Sequence, residues 1–169
     1  LSPLIEAQQS TSRKQTTLEG YNSLTRQSEK FEPLAAADVK LYTCGPTVYN
    51  YPHIGNYRAY VFEDLLRRTL EYCGFGITQV MNITDVDDKT IRDSQAAGMA
   101  LSEFTETYKK AFFEDIRTLR LEEAEYYPEA TAHVEDMVAL IRVLMDKGYA
   151  YQAEDGSGYF SIRKFPQYG

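Results

Sequence analysis

Between Cys44 and Asn56 the chain sets a thiol, a Gly45-Pro46 turn and a hydroxyl at Thr47, then His53, Gly55 and Asn56 in close succession. The order reads as the end of a strand opening onto the start of a helix. Such a place suits an anion, because the first N–H groups of a helix have no intrahelical partner and the positive end of its dipole lies there. His53 and Asn56 stand three apart and share a face of that helix. Gly55 removes a side chain where a flat base or a phosphate would approach the backbone. Taken singly the residues say less: Cys44 alone reads as a small core residue, and His53 alone as a helix-start histidine.

The elements that must position these groups follow from patterning. Leu18–Leu24 and Gln27–Leu34 read as two short strands joined near Thr25-Arg26, and Ala35 to Asp38 as a connector. Val39–Thr43, rich in β-branched and aromatic residues, reads as a strand that Cys44-Gly45-Pro46 ends. A helix is expected from His53–Asn56 to Cys73, its buried face made of Phe62, Leu65, Leu66, Thr69, Leu70 and Cys73, with Gly74 as its stop. Ile77–Ile83 reads as the next strand. Strand, helix and strand in about forty residues make a βαβ unit, hence a parallel sheet with a right-handed crossover.

Farther on, Asp85, Asp87 and Asp88 offer either a magnesium site or, the favoured alternative, capping at the start of a helix containing Lys89 and Ile91. Leu101–Leu119 has Phe104, Tyr108, Phe112 and Ile116 on one face; Ala132–Lys147 has Val134, Met137, Val138, Ile141, Leu144 and Met145 on its stripe. Tyr149–Gln152 and Gly158–Ile162 form a hairpin about Asp155-Gly156-Ser157. Only one βαβ unit is legible. The fold class expected is therefore α/β, the first half of a Rossmann-like nucleotide-binding domain with a parallel sheet, plus a helical and hairpin connective insertion. The organisation expected is a flexible tail over 1–17, half of a catalytic domain over 18–131, and the start of the insertion over 132–169.

Composition closes off other classes. With 43% hydrophobic and 13% aromatic residues the chain is globular. No apolar run approaches the roughly 18 residues of a membrane span, and no export signal precedes the fold, so the cytoplasm is the expected location. A net charge of −7 argues against non-specific nucleic-acid binding by this portion. Cys44 and Cys73 make no disulfide framework, and neither C-x-x-C nor H-x-x-H spacing occurs, so no complete zinc site can be read. Cys73 lies on an apolar helix face and reads as packing, His133 as a solvated surface histidine, and the fourteen tyrosines as core and rim. Gly74-Phe75-Gly76 and Gly156-Ser157-Gly158 lack the third glycine of a dinucleotide fingerprint.

Three ordered blocks carry a resemblance. His53-Ile54-Gly55-Asn56 resembles the His-Ile-Gly-His motif of class I aminoacyl-tRNA synthetases, Asn56 being a variant found in that family. Upstream stands Cys44-Gly45-Pro46-Thr47-Val48-Tyr49, and downstream Asn82-Ile83-Thr84-Asp85-Val86-Asp87-Asp88-Lys89, the pairing seen in cysteinyl-tRNA synthetases; Lys147-Gly148-Tyr149-Ala150-Tyr151 is a further match. The likeness runs from about Leu18 to Gly169. The family's Lys-Met-Ser-Lys-Ser loop, its three other zinc ligands and its anticodon-binding helices are not in these residues. The chain is therefore expected to be an amino-terminal portion that works with the remainder of a full-length protein.

The resemblance implies ATP-dependent activation of cysteine, with magnesium accompanying the ATP, and transfer to tRNA(Cys). His53 and Asn56 would be the catalytic donors to phosphate oxygens; Thr47, His53, Gly55 and Asn56 would contact ATP. Cys44, Gly45, Thr47 and Thr84 would line the cysteine pocket, with Cys44 one of four zinc ligands. A thiolate on zinc separates cysteine from serine better than a shaped pocket, which distinguishes near-isosteres only about 10- to 200-fold. Two alternatives remain open at this point: a cysteine ligase of mycothiol synthesis, and a truncated non-catalytic paralogue acting as a binding module.

Overall fold

Strand β3 (Asp38–Thr43) and strand β4 (Gly76–Met81) pair in parallel, from Asp38 against Gly76 to Thr43 against Met81. Helix α1 (Ile54–Tyr72) is the crossover between them. The computed structural model describes residues 17–35 and 38–168. The tail expected at 1–17 and Ala36-Ala37 of the connector therefore lie, but for Thr17, outside the described residues. The described residues divide into two compact units, the first made of 17–35, 38–44, 52–81 and 113–126, the second of 45–51, 82–112 and 127–168.

In the first unit, β1 (Glu19–Asn22) and β2 (Gln27–Lys30) form an antiparallel hairpin with Glu19 opposite Lys30. Arg26 closes its turn with a φ of 58°, and Phe31 leaves it to meet Phe75 edge-on at 5.5 Å. Helix α1 ends at Cys73, and Gly74, with a φ of 97°, reverses the chain so that the Phe75 N–H reaches the Leu70 carbonyl. The expected helix and both flanking strands are present, and the expected face is buried at Leu70 and Cys73, but toward its start the buried side is another one. Tyr57, Tyr60, Arg67, Leu70 and Cys73 are buried, whereas Phe62 and Leu65 are 65% and 60% exposed. Only the amino-terminal part of the expected row, Phe62 and Leu65, faces outward.

A charge can occupy that inner row because it is fully partnered. Arg67 meets Glu71 and Glu122 at 3.0 Å and Glu125 at 2.6 Å, and also donates to Gln79 and the Glu123 carbonyl. Burial works against its charge, yet Glu125 and Glu71 raise its pKa overall. Burial likewise opposes the Glu125 carboxylate, but Arg67 and the Gln79 N–H hold it below the usual range. The Met81 N–H donates to the Tyr126 carbonyl and the Tyr126 N–H to the Gln79 carbonyl, a second parallel connection.

In the second unit, Val48 N–H donates to Thr84 and Thr84 N–H to Pro46, while Ile83 N–H donates to Pro128 and Ala130 N–H to Ile83. Thr47–Thr84 and Ile83–Glu129 are the parallel bridges. Residues 126–130 thus return as a further parallel edge, which the single legible βαβ unit did not anticipate. Pro128 and the brevity of the segment hide any alternation. Helices α2 (Asp88–Ala96) and α3 (Leu101–Thr118), the latter belonging to the first unit from Phe113 on, precede that return, and the expected face of α3 is buried at Phe104, Phe112 and Ile116. A 3-10 turn (Ala130–His133) leads into α4 (Val134–Asp146), then the β5 (Ala150–Gln152) and β6 (Gly158–Phe160) hairpin. The apolar stripe of α4 forms as expected, but Val134, Met137, Val138 and Ile141 are exposed on it.

Candidate functional site

Strand β3 delivers its last residue, Thr43, into the core, where Thr43 Oγ1 accepts from Gln79 Nε2 at 3.1 Å. The next residue, Cys44, is exposed and outside any disulfide. On α1, burial first, then Glu63 and Cys44, push the Tyr60 hydroxyl up to about 12. Tyr57 and Tyr60 follow His53 at steps of four and three residues, on one row of α1. Tyr57 closes that row by donating to Asp115 Oδ2 at 2.6 Å.

At the mouth itself His53 is the cap. Its φ and ψ of −116° and 173° are extended, and its Nδ1 accepts from the Gly55 N–H at 3.0 Å. Asn56 Oδ1 in turn accepts from the His53 N–H at 3.0 Å, completing a capping box. No acidic residue stands in the first turn, so the positive end of α1 is left without a counter-charge. His53, Gly55 and Asn56 are all exposed.

In the second unit the strand-tip residues are held by Asn82. Its Oδ1 accepts from the Gly45 N–H at 3.2 Å and its Nδ2 donates to Thr84 Oγ1 at 3.1 Å. Asn82 thus joins Gly45 to Thr84, the backbone bridge adds Thr47, and the Thr84 hydroxyl, already accepting, keeps its own proton for an acceptor. Sequence reasoning had not singled out Asn82; an amide directly before Ile-Thr-Asp at a strand end was the available signal. The three aspartates part company. Asp87 caps α2, as the capping alternative expected, whereas Asp85 is buried and accepts from both the N–H and the hydroxyl of Thr131. Asp85 therefore fixes the return of the chain rather than the start of α2.

Cys44 is a soft, accessible donor of the type zinc prefers. Among the described residues, however, no group of three or more His, Cys, Asp or Glu side chains is placed to hold an ion. These residues alone do not make a zinc site. Nor, among the described residues, is any helix long and apolar enough to cross a membrane.

With this geometry in view, the relatives are informative. A family model described as the tRNA synthetases class I (C) catalytic domain matches residues 30–169. The Cysteine--tRNA ligase of Protochlamydia amoebophila is 55% identical over 156 residues, covering 92% of this chain and 33% of that protein. Those of Brachyspira hyodysenteriae and Methanosarcina acetivorans are 54% and 51% identical over 88% and 90% of the chain, and 31% and 32% of their own lengths. The chain thus spans about a third of the curated relatives it matches. Among solved structures, a LeuRS of Agrobacterium radiobacter in a ternary LeuRS-tRNA-LeuAMS complex superposes with a TM-score of 0.61 at 19% identity, over 72% of this chain and 16% of that one. That likeness shows the fold, the α/β arrangement expected from the sequence.

Proposed function

Because the chain belongs to the class I (C) tRNA synthetase catalytic-domain family, we propose that the protein it forms part of activates cysteine with ATP and transfers it to tRNA(Cys). The observation that carries the proposal is the exposed His53 cap at an α1 mouth free of acidic residues.

The cysteine carboxylate attacks the α-phosphorus of ATP; a new P–O bond forms as the bond to pyrophosphate breaks. Negative charge moves onto the leaving oxygens, and donors already in place stabilise it without reorganising. His53 offers an imidazole N–H and Asn56 an amide NH2, while Gly55 lies at the ATP contact and Thr47 supplies a hydroxyl to ATP or the amino acid. Gly45 and Thr84 line the amino-acid end, where the Thr84 hydroxyl is free to donate. In the second step a ribose hydroxyl of the tRNA attacks the activated carbonyl and AMP leaves. Cys44 fits one thiolate position of a zinc centre, whose other three donors would come from the remainder of the full-length protein and whose chemistry is soft recognition of the substrate thiol. Magnesium would enter with ATP. We infer the cytoplasm as the location of this activity.

The test is ATP–pyrophosphate exchange by the full-length protein. Exchange is expected with cysteine and not with serine, followed by aminoacylation of tRNA(Cys). Exchange that ignores cysteine would overturn the proposal.

A further inference from the structure

The imidazole of His53 does not stand freely over the helix mouth. Its Nδ1 accepts from the Gly55 N–H at 3.0 Å, and an acceptor nitrogen carries no proton. In the neutral ring the proton is therefore on Nε2, the atom turned away from the helix. The ring can lie so close only because residue 55 is glycine. A Cβ built there would stand 2.8 Å from His53 Cε1 and 3.0 Å from Nδ1. At this position φ is ordinary, so the glycine serves space and not backbone conformation. Asn56 completes the arrangement. Because its Oδ1 accepts from the His53 N–H, the orientation of its amide is fixed and its NH2 faces outward.

We propose that Gly55 and Asn56 are positioning residues for His53. Together they select the Nε2–H tautomer and turn the mouth of α1 into a surface of donors alone. The inference rests on the functional reading above, and it assigns Gly55 a role distinct from admitting the nucleotide to the backbone. A phosphate oxygen meeting this mouth finds the Nε2–H, the Asn56 NH2 and the positive end of the helix dipole, and no lone pair to repel it. The wrong tautomer would put an acceptor toward the phosphate and would also leave the Gly55 N–H without its partner.

The molecule contains its own contrast. His133 Nδ1 lies 3.0 Å from Asp136 Oδ2, and a carboxylate only accepts, so there Nδ1 is the donor. Long-range 1H–15N correlations on ligand-free, full-length protein labelled with 15N-histidine distinguish the two patterns, with the His53 signals assigned by their loss in His53→Asn. His53 is expected as a single Nε2–H tautomer, and His133 with its proton on Nδ1. In Gly55→Ala the His53 pattern is expected to become a mixture, and exchange to fall about tenfold to a hundredfold as the donor is misplaced. Folding survives, because alanine is the better helix former.

A His53 proton on Nδ1 in the wild type would overturn the proposal. So would an unchanged Nε2–H pattern in Gly55→Ala, since a loss of exchange alone is what a mere block to ligand approach would produce. Full cysteine-dependent exchange by His53→Ala would instead sink the catalytic reading, an outcome the spectrum of the wild type cannot mimic.

Discussion

Two helices in this molecule begin with a capping box, and they are built from opposite chemistry. At the start of α2, Asp87 accepts from the Thr90 N–H at 2.8 Å, Thr90 Oγ1 accepts from the Asp87 N–H at 2.7 Å, and Asp88 adds a second carboxylate. Thr90 is wholly buried. At the start of α1 the same two bonds are made by an imidazole and an amide, both exposed, with no carboxylate in the first turn. The cap of α2 supplies its own negative charge and closes the helix end. The cap of α1 satisfies its N–H groups yet leaves the dipole uncompensated, which is the condition for receiving an anion from outside. The difference extends down the helix: the buried Oε2 of Glu63 on α1 has no hydrogen-bond partner. The element that carries the proposed chemistry holds an unsatisfied group where the supporting one holds none.

The comparison can be broken most directly at His53. His53→Ala in the full-length protein is expected to lower cysteine-dependent exchange about 100- to 1,000-fold, the effect of losing one preorganised donor. The accompanying loss of stability should be only about 1 kcal/mol, that of one cap. Asn56→Asp comes next, because it makes α1 resemble α2. The acceptor for the His53 N–H is kept and a carboxylate joins the first turn, so stability should rise by roughly 0.3–1 kcal/mol. Exchange should nevertheless drop about a hundredfold, since a donor has become a negative charge facing phosphate. If Asn56→Asp keeps its exchange rate, the uncompensated dipole has no part in function.

Asp87→Ala should show the reverse pattern. A denaturant midpoint corresponding to about 1–2 kcal/mol is lost with the carboxylate cap, while exchange at 25 °C hardly changes. The smallest effect is expected at Glu63, whose carboxyl is pushed upward by burial and only partly restrained by the Thr43 hydroxyl. A carboxyl whose folded pKa exceeds its unfolded value supports the fold fully only below the unfolded pKa, and that support disappears as pH rises through the folded one. Glu63→Gln should therefore melt at a higher temperature than the wild type near pH 8. The two melting curves should converge below about pH 4, where the wild-type side chain is neutral as well.

Much of this was legible from local sequence. The extent of α1, the parallel strands on either side of it, the turn at Gly74 and the burial of Cys73 all follow from contacts within a few residues. The capping assignment at Asp87 is of the same kind. Asn82 escaped notice because its two partners, Gly45 and Thr84, gain meaning only when two strand ends lie side by side. Asp85 was grouped with the caps because its partner, Thr131, is 46 residues away. Gly55 was read for what it admits from outside; its neighbour within the chain, the His53 ring, turned out to occupy that space.

The sequence alone determined the motif blocks, their order, and the helix and strand ends that present them, because capping, turn chemistry and periodicity act over three or four residues. The folded structure decided which side of α1 faces inward, and it chose Tyr57, Tyr60 and a fully paired Arg67 over Phe62 and Leu65. It also decided that residues 126–130 return as a parallel edge. Those outcomes depend on which distant carboxylates and carbonyls arrive beside a side chain, and that arrival is set by the register of parallel pairing, which no local pattern encodes.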